Sequence, residues 1–506
     1  MSDAQKHYCK LHKISKKRAI LCGISSLLSW DQETKMPSGA SGIRGIQMKT
    51  MAGLIHKEKT SKKFANALAK LIDLETGEII AKGLAPEQNS ALKIWLRDYK
   101  LATALPPHFV EKLAKETASS VHVWRHARKN DTFETFVPYL NTMIDLAKKQ
   151  ADYIGYSDHP YDALLEIYEP GIKTHEINTL FKNLKPTLQT LLTTISSSRQ
   201  VDNSFLNNTF PESRQLHFSH LLLKDLGYTD QHGRLDLSTH PFSSSCHPTD
   251  SRITTRIDTK NLMFNISSVL HECGHSLYAM GLPEEHYGSP LGEAISHGLH
   301  ESQSRWWETY IGLSKPYWKH YFPLLKKEFK GKFDSLTFSR FYRGINKVIP
   351  SMIRVEADEV TYPLHIILRF ELEKELIAGT LHVKEIPDAW NSKMEELLGI
   401  TPPNNKQGCL QDIHWASGGF GYFPTYSLGN MYAAQLFEQF IKDHHDWEER
   451  VQHGDLSFVR EWLNMAVYRH GRHYDGKALM KKITGKIFSS EPYQRYLTKK
   501  YTEIYS

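Results

Sequence analysis

Two histidines four positions apart, with a glutamate directly after the first, occur in the stretch SVLHECGHSLYAMG at residues 268–281. Residues four apart on a helix lie on the same face, so His271 and His275 can bind one metal ion through their imidazoles. Glu272 lies one position further round, where a carboxylate can take a proton from water at the metal without being a ligand. The spacing predicts the metal-binding helix of a hydrolase.

The residues around this pentapeptide predict a helix with two different faces. An apolar stripe points away from the histidines and consists of Ile266, Leu270, Cys273, Leu277 and Met280. Cys273 is therefore expected to pack in the core rather than to bind metal. Asn265 is predicted to cap the start of this helix, and Gly281, followed by Leu-Pro, is predicted to end it.

A third ligand is needed, because H-E-x-x-H arises by chance in roughly one chain in ten of this length and composition. A catalytic zinc site has three protein ligands and an open fourth position. Where the third is a glutamate of a following helix, it lies about two dozen residues downstream, and Glu301 follows His275 after 25 intervening residues. Spacing does not select it over Glu284, Glu285 and Glu293, and a surface ion pair with Arg305 is its alternative role.

The composition describes a globular protein that can bury a large core. The chain has 506 residues, of which 40% are hydrophobic, and its net charge of +7 is spread over 63 basic and 56 acidic residues. Nucleic-acid binding is not expected, because it needs a concentrated stripe of basic residues. With no linker or repeat, we expect a single catalytic domain over residues 1–506, in which the helical region of about 1–105 forms part of a groove wall or lid.

The compartment is predicted from the cysteines and the N-terminus. Five cysteines, odd in number and widely spaced, argue against a disulfide framework. The apolar run near the N-terminus is too short to span a bilayer and is flanked unlike a secretory signal. We therefore expect a cytoplasmic protein that does not bind membranes.

Helical periodicity dominates the rest of the chain. One apolar stripe comprises Phe133, Phe136, Leu140, Met143 and Ala147, and another comprises Ile177, Leu180, Phe181, Leu184, Leu188 and Leu191. Strand-like alternation is rare, with DSRITTRID at 250–258 as its best example. The fold class predicted is mostly α-helical, with a small β-sheet near residues 235–265.

An ordered set of motifs covers almost the whole chain and resembles the Taq-type thermostable metallocarboxypeptidases, a family of helical zinc or cobalt exopeptidases. These motifs are WDQETKMP (30–37), YDALLEIYEPG (161–171), GRLDLSTHPF (233–242), DSRIT (250–254), HECGH (271–275), HESQSRWWE (300–308), IRVEADEVTYPLH (353–365) and GCLQDIHWASGGFGYFPTYSLGN (408–430). The resemblance implies a single large helical body with a deep substrate groove, and the small sheet near the zinc site. It also implies Zn²⁺, or Co²⁺, held by His271, His275 and Glu301, and a homodimer acting on peptides with a free C-terminus.

The resemblance also implies roles in catalysis. Glu272 would act as general base on the water at the zinc and then pass the proton to the leaving amine. His414 and Tyr426 are similar to the His and Tyr that stabilise the oxyanion in related helical peptidases. Tyr422 is an alternative donor, and packing in an aromatic-rich segment is the other role open to both tyrosines.

A carboxypeptidase must also recognise the carboxylate at the end of its substrate. An arginine suits this task because its guanidinium donates two parallel hydrogen bonds. Arg354 is the first candidate and Arg252 the second, although ion pairs with Asp358 and Asp250, respectively, are the alternatives. We expect Asp250, Arg252 and His240 to belong to an edge segment that aligns the substrate backbone or limits its length.

Two positions depart from the family's pattern. Pro363 predicts that the helix after Arg354 kinks or restarts there, and His297 is polar where the family carries an apolar or small residue. Neither position belongs to the zinc site. The leading hypothesis is a carboxypeptidase of broad specificity. An oligopeptidase that cuts internally and a non-catalytic peptide- or metal-binding protein are the alternatives, and the presence of Glu272 argues against the last.

Overall fold

A computed structural model describes all residues 1–506 as a mostly helical chain with one small sheet, so the predicted fold class is confirmed. The first half contains helices α1 (Asp3–Thr34), α2 (Ser41–Lys59), α3 (Lys62–Leu68), α4 (Pro86–Ala104), α5 (Pro107–Asn130), α6 (Phe133–Ile154), α7 (Pro160–Tyr168), α8 (Thr174–Ser197) and α9 (Glu212–Asp225). Strands β1 (Leu235–Leu237), β2 (Ser243–His247) and β3 (Asp250–Thr255) follow. No helix is both long enough and apolar enough to cross a bilayer.

The second half consists of helices and connecting loops, without a strand. Its helices are α10 (Leu262–Met280), α11 (His297–Arg305), α12 (Lys315–Glu328), α13 (Phe338–Ile345), α14 (Tyr362–Ala378), α15 (Ile386–Leu398), α16 (Pro424–Asp443), α17 (Trp447–Gln452), α18 (Ser457–Ala466), α19 (Gly476–Thr484) and α20 (Glu491–Tyr505). Helix α11 continues as a π-helical turn over Trp306–Ile311.

The sheet lies where the alternating pattern predicted it and packs against α10. Its strand order is β1-β3-β2, with β1 parallel and β2 antiparallel to β3. Ser251 of β3 donates a hydrogen bond of 2.9 Å to the hydroxyl of Ser276, and Thr255 donates one of 2.8 Å to Asn265. Both acceptors belong to α10, so the sheet fixes the position of that helix.

Helix α10 begins one turn earlier than predicted. Its N-cap is Asn261, whose side chain accepts a hydrogen bond of 3.1 Å from the backbone N–H of Phe264. The prediction that Asn265 caps the helix was wrong, because this side chain is buried and bonds to Thr255 and to Ser219 instead. Gly281 does end the helix, as predicted.

The predicted apolar stripes of α6 and α8 are buried in full. They belong to a core of 100 buried residues that extends from Phe109 to Tyr505. A second cluster of 13 residues joins α1, α3 and α4 to Leu291. The N-terminal helices thus have a small core of their own, and the assignment of 1–506 to one domain stays a prediction.

The predicted restart at Pro363 is also observed. Helix α14 begins at Tyr362 with Pro363 in its first turn, where the missing N–H has no helical partner to lose. Arg354 precedes this helix on a short 3-10 turn, Arg354–Glu356. A new helix therefore starts there, without a kink inside an existing one.

Candidate active site

Helices α10 and α11 bring His271, His275 and Glu301 together. One ligand atom from each lies within 4.8 Å of the other two. The Oε2 atom of Glu301 is 3.7 Å from Nε2 of His271 and 3.5 Å from Nε2 of His275. The four-residue spacing places the histidines one above the other, and α11 packs beside α10 to add the carboxylate.

The remaining ring nitrogens have partners of their own. Nδ1 of His271 lies 2.8 Å from Oε2 of Glu308. Nδ1 of His275 lies 3.1 Å from the carbonyl oxygen of His300 and 2.7 Å from the Nδ1 atom of the same residue. These contacts orient both imidazoles so that each directs its Nε2 towards Glu301, an arrangement typical of metal-binding histidines.

This donor set fits a divalent metal ion. Two imidazole nitrogens and one carboxylate oxygen are ligands suited to zinc or cobalt, and three protein ligands leave a coordination position open for water or substrate. Arg305 donates hydrogen bonds of 3.0 Å to both Glu301 and Glu308, and these bonds fix the positions of the two carboxylates. The ion pair of Glu301 with Arg305 thus coexists with its place in the triad.

Glu272 lies on the same wall as the triad and is almost fully buried, with 8% of its surface exposed. Burial raises the pKa of its carboxyl to about 7, while the nearby His271 and the Ser243 hydroxyl act in the opposite direction. The sheet contributes here directly, because Ser243 is the first residue of β2.

The cleft beside the triad has a volume of about 610 Å³. It is lined by residues of five motifs, among them His240, Glu272, Arg354, His414 and Tyr426. Three predicted substrate-binding residues, Arg252, Asp250 and Tyr422, do not line it. The structure therefore brings together most, but not all, of the predicted site.

His414 and Tyr426 lie next to each other in the wall of the cleft. The tyrosine hydroxyl lies 3.3 Å from Nε2 of His414. Burial lowers the pKa of His414 to about 4, although Asp412 acts in the opposite direction, so the imidazole is neutral near pH 7. The ring of Tyr422 packs behind both, with centroid distances of 5.4 Å to His414 and 5.3 Å to Tyr426.

Arg354 is buried in the wall of the cleft and pairs with Asp412 rather than with Asp358. Its Nε and Nη2 atoms donate to one oxygen of Asp412 at 3.1 and 2.8 Å, and Nη1 donates to the hydroxyl of Tyr362 at 3.0 Å. Arg369 donates to the other oxygen of Asp412 at 2.7 Å. Two guanidinium groups share one carboxylate, so this trio carries one net positive charge.

The pKa of Asp412 reflects this environment. Burial alone would raise it, but the guanidinium groups of Arg354 and Arg369 outweigh burial and hold the pKa well below its usual range. Asp358 instead bonds to the first turn of α14 through Thr361. The ion pair with Asp358, which was the alternative role of Arg354, is therefore not formed.

Arg252 forms the ion pair that was its alternative role. It donates to both oxygens of Asp250, at 2.8 and 2.9 Å, and its guanidinium lies 4.7 Å from the ring centroid of Trp30. This interaction ties β3 to α1. His240, in contrast, is exposed at the rim of the cleft.

Several residues of the site were not singled out from the sequence. Glu308, His300 and Asp412 contact the predicted site residues directly. A signal existed for Glu308, because it lies seven positions after Glu301 and so returns to the same helical face. Glu373 had no such signal: it is buried and accepts hydrogen bonds from Trp415, Tyr161 and Gly421 N–H, which anchors the loop carrying His414.

Comparison with known proteins shows the family of this chain. Residues 10–501 match the family described as Carboxypeptidase Taq (M32) metallopeptidase. The Thermostable carboxypeptidase 1 of Thermus thermophilus is 37% identical, over 98% of this chain and 99% of the relative. The Carboxypeptidase 1 of Bacillus subtilis is 34% identical, over 95% of both chains.

Solved structures are similar over the same length. The M32 carboxypeptidase from Deinococcus radiodurans R1 superposes with a TM-score of 0.95 at 34% identity, covering 99% of both chains. The Trypanosoma cruzi metallocarboxypeptidase 1 gives 0.92 at 32% identity, covering 98% of this chain and 99% of that one.

A helical fold that brings two histidines of an H-E-x-x-H helix and a glutamate of the next helix together is typical of a helical metallopeptidase. This chain belongs to the Carboxypeptidase Taq (M32) metallopeptidase family, and is thus a metallocarboxypeptidase that uses a divalent metal. The predicted family and enzyme class are confirmed. Because the family and the named relatives are carboxypeptidases, the alternative of a non-catalytic binding protein is excluded.

Proposed function

We propose that this enzyme removes single C-terminal residues from peptides with broad specificity, using a metal held by His271, His275 and Glu301. The observation that carries the proposal is that Arg354, Glu272 and two of the three triad residues, His271 and Glu301, line one cleft. A chain end bound to the guanidinium therefore lies in the same space as the hydrolytic apparatus. Peptides with a free C-terminus are the substrates that would use both the guanidinium of Arg354 and the hydrolytic residues.

Arg354 can bind a carboxylate while it stays paired. Its three hydrogen bonds use three of the five N–H groups of a guanidinium, so one N–H remains on each terminal nitrogen. The net positive charge shared with Arg369 and Asp412 favours one further carboxylate. Asp412 thus positions the guanidinium, and the substrate's carboxylate would complete the charge balance.

His271, His275 and Glu301 would hold a divalent metal ion, which when bound would supply a Lewis acid for the peptide carbonyl and lower the pKa of water at the site. Glu272 takes the proton from the attacking water and delivers it to the leaving amine. The hydroxyl of Tyr426 and the imidazole of His414 donate hydrogen bonds to the developing oxyanion. Burial keeps His414 neutral near pH 7, so the protonation state of this imidazole does not change over the physiological pH range.

Broad specificity is proposed because the donors in the cleft bind groups common to all peptides. His240 lies exposed at the rim, where it can contact the substrate backbone. Asp250 and Arg252 would act at a greater distance, through the position of the sheet. For Tyr422, we propose a supporting role behind His414 and Tyr426.

The test is mass spectrometry of an N-terminally blocked peptide, incubated with the metal-loaded protein as a free acid and as a C-terminal amide. We expect successive loss of single residues from the free acid and no cleavage of the amide. Internal fragments, or equal cleavage of the amide, would show an endopeptidase instead. Loading with Zn²⁺ and with Co²⁺ in parallel tests the proposed metals.

Assembly and compartment are further parts of the proposal. We propose a homodimer, which light scattering of the purified protein tests by its mass relative to the 58.3 kDa chain. A cytoplasmic location is consistent with five free cysteines, and cell fractionation tests it.

A further inference from the structure

A second cavity, of about 650 Å³, lies between the N-terminal helices and the body that carries the metal triad. Helices α1, α2 and α4 line it on one side, and the segment 293–300 lines it on the other. We call it the N-terminal cavity. Its lining is rich in charge, with Arg18, Lys59, Asp98, Glu293 and Arg472 among the residues that face it.

The N-terminal cavity adjoins the catalytic cleft through a wall of aromatic rings. Tyr168 and His297 line the cavity, and their rings lie 5.1 and 5.6 Å from that of Tyr422. On its other side Tyr422 packs against Tyr426, which lines the cleft. His300 lines the cavity too, and it contacts His275 of the triad. The cavity thus begins next to the metal site, across Tyr422 from the cleft.

The charges in this cavity do not balance. Arg472 donates to both oxygens of Asp98, at 2.7 and 3.0 Å, and to Glu293 at 2.9 Å. Arg18 donates to the other oxygen of Glu293 at 2.6 Å. Both carboxylates are therefore taken by guanidinium groups, and Lys59 is left without a hydrogen bond or an ion pair.

A second hydrogen-bond donor among the residues of the N-terminal cavity also has no acceptor. The Nε atom of Arg18 is buried and has no acceptor. The third arginine of the lining, Arg97, forms an ion pair of 2.5 Å with Glu166. With Arg97 paired to Glu166, the cations Arg18, Lys59 and Arg472 stand against the anions Asp98 and Glu293, so the lining carries an excess of one positive charge, and Lys59 is the cation without a partner.

We propose that the N-terminal cavity is the subsite for substrate residues upstream of the scissile bond, and that Lys59 selects an acidic side chain there. The inference rests on the proposed carboxypeptidase function. His300 lines the cavity and contacts His275 of the triad, so the cavity begins beside the site where the bond is cut. A Glu or Asp side chain of the substrate would supply the anion that the charges of the cavity lack.

The position of the acidic residue along the substrate can be estimated from the distance between Arg354 and the N-terminal cavity. Arg354 lies 4.9 Å from the ring of Tyr426, and the rings of Tyr422 and Tyr168 follow at 5.3 and 5.1 Å. An extended peptide advances about 3.3 Å per residue, so a chain held at Arg354 reaches the cavity within about four to five residues. A blocked dipeptide is too short to reach it.

The experiment compares N-terminally blocked hexapeptides with Glu or Gln at the third, fourth or fifth residue from the C-terminus, and a blocked dipeptide as the short substrate. The proteins are wild type, Lys59→Met, Lys59→Glu and the control Lys57→Met. Lys57 is exposed on the same helix and does not line the cavity. First-residue release gives kcat/KM, and calorimetric titration of the metal-loaded Glu272→Gln protein gives binding without turnover.

At one of the three positions tested, we expect the kcat/KM of wild type to be about tenfold higher for the Glu peptide than for the Gln peptide. This factor is the size of one charge-assisted hydrogen bond. Lys59→Met should reduce this ratio to one and Lys59→Glu should invert it, while Lys57→Met leaves it unchanged. Cleavage of the dipeptide should be the same in all four proteins. The binding constants of the two hexapeptides should follow the same ratio.

Two outcomes would overturn the proposal. One is a Glu-to-Gln ratio of one at every position, in both cleavage and binding. The other is a preference that survives Lys59→Met. A dipeptide that is not trimmed by wild type would instead contradict the proposed function, and the binding titration would then still decide whether Lys59 selects an acidic side chain.

Discussion

The Nδ1 atom of His271 lies 2.8 Å from the Oε2 atom of Glu308, a residue 37 positions further along the chain. This contact orients the imidazole and, because Glu308 is also bonded to Arg305, it links the triad to the π-helical turn after α11. The metal site therefore depends on residues outside the three ligands.

Glu308→Ala should weaken metal binding by about 10- to 100-fold, because His271 loses the partner that fixes its ring. Competition with a coloured chelator measures the dissociation constant. Glu284→Ala removes an exposed glutamate of the same region and should leave it unchanged. Equal affinity in both variants would mean that Glu308 does not support the site.

Glu272→Gln should retain the metal and lose activity by about 10²- to 10⁴-fold in kcat, the usual contribution of a general base. The amide keeps the size of the side chain but cannot accept the proton. Elemental analysis of the purified variant controls for metal content. A fully loaded variant with near-normal turnover would remove Glu272 from the role of base.

Arg354→Met should lower kcat/KM for free-acid peptides by about 10- to 100-fold, since a hydrogen-bonded charge pair is worth about 1.5–3 kcal/mol. Arg252→Met is the matched comparison, because Arg252 is paired with Asp250 and stacked on Trp30. We expect it to affect thermal stability more than kcat/KM. The reverse pattern would make Arg252 the residue that binds the substrate carboxylate.

Removing the metal should abolish activity and lower the melting temperature, because an ion that binds only the folded chain stabilises it by mass action. Dialysis against a chelator, followed by addition of Zn²⁺ or Co²⁺, should restore both properties. Mg²⁺ should restore neither, since it prefers oxygen ligands over imidazole. Full activity after complete removal of the metal would contradict the proposed mechanism.

The stability of the enzyme should fall on the acid side partly because of His365. Burial, reinforced by Arg369 and Arg354, lowers the pKa of this imidazole to about 3, against an ordinary value of 6.5. Between these pH values the unfolded chain binds a proton that the folded chain does not. The stabilising contribution is therefore complete above pH 6.5 and is lost as the pH falls towards 3.

His365→Gln should consequently show a shallower loss of unfolding free energy between pH 7 and pH 5, by up to about 1.4 kcal/mol per pH unit. Urea unfolding at each pH measures it. His108→Gln, at an exposed position, is the control and should keep the wild-type slope. Parallel curves for wild type and His365→Gln would show that His365 does not titrate in this way.

Some features of the site could be predicted because they are local in sequence. The spacing of His271 and His275 fixes their common helix face, and the apolar stripe on the opposite side determines which face packs inward. The same reasoning located the buried stripes of α6 and α8 and the alternating strand β3. In each case the spacing of the apolar residues matches the repeat of the helix or strand that they form.

Other features required contacts between distant segments. Asp358 lies four positions from Arg354 and was the natural partner in sequence, yet Arg354 pairs with Asp412, 58 positions away. The 3-10 turn that carries Arg354 and the new helix at Tyr362 direct Asp358 to the helix start instead. Pairing of buried charges depends on which segments pack together, and spacing along the chain does not encode that.

By itself, the sequence determined the metal-binding motif, the mostly helical fold and the family to which the chain belongs, because these follow from periodicity and from ordered motifs. Only the tertiary structure decided which residues surround the metal ligands, where Arg354 finds its counter-ion and why Lys59 is left without one. Those outcomes depend on long-range packing, in which a buried charge must be satisfied by whichever group the fold brings within hydrogen-bond distance.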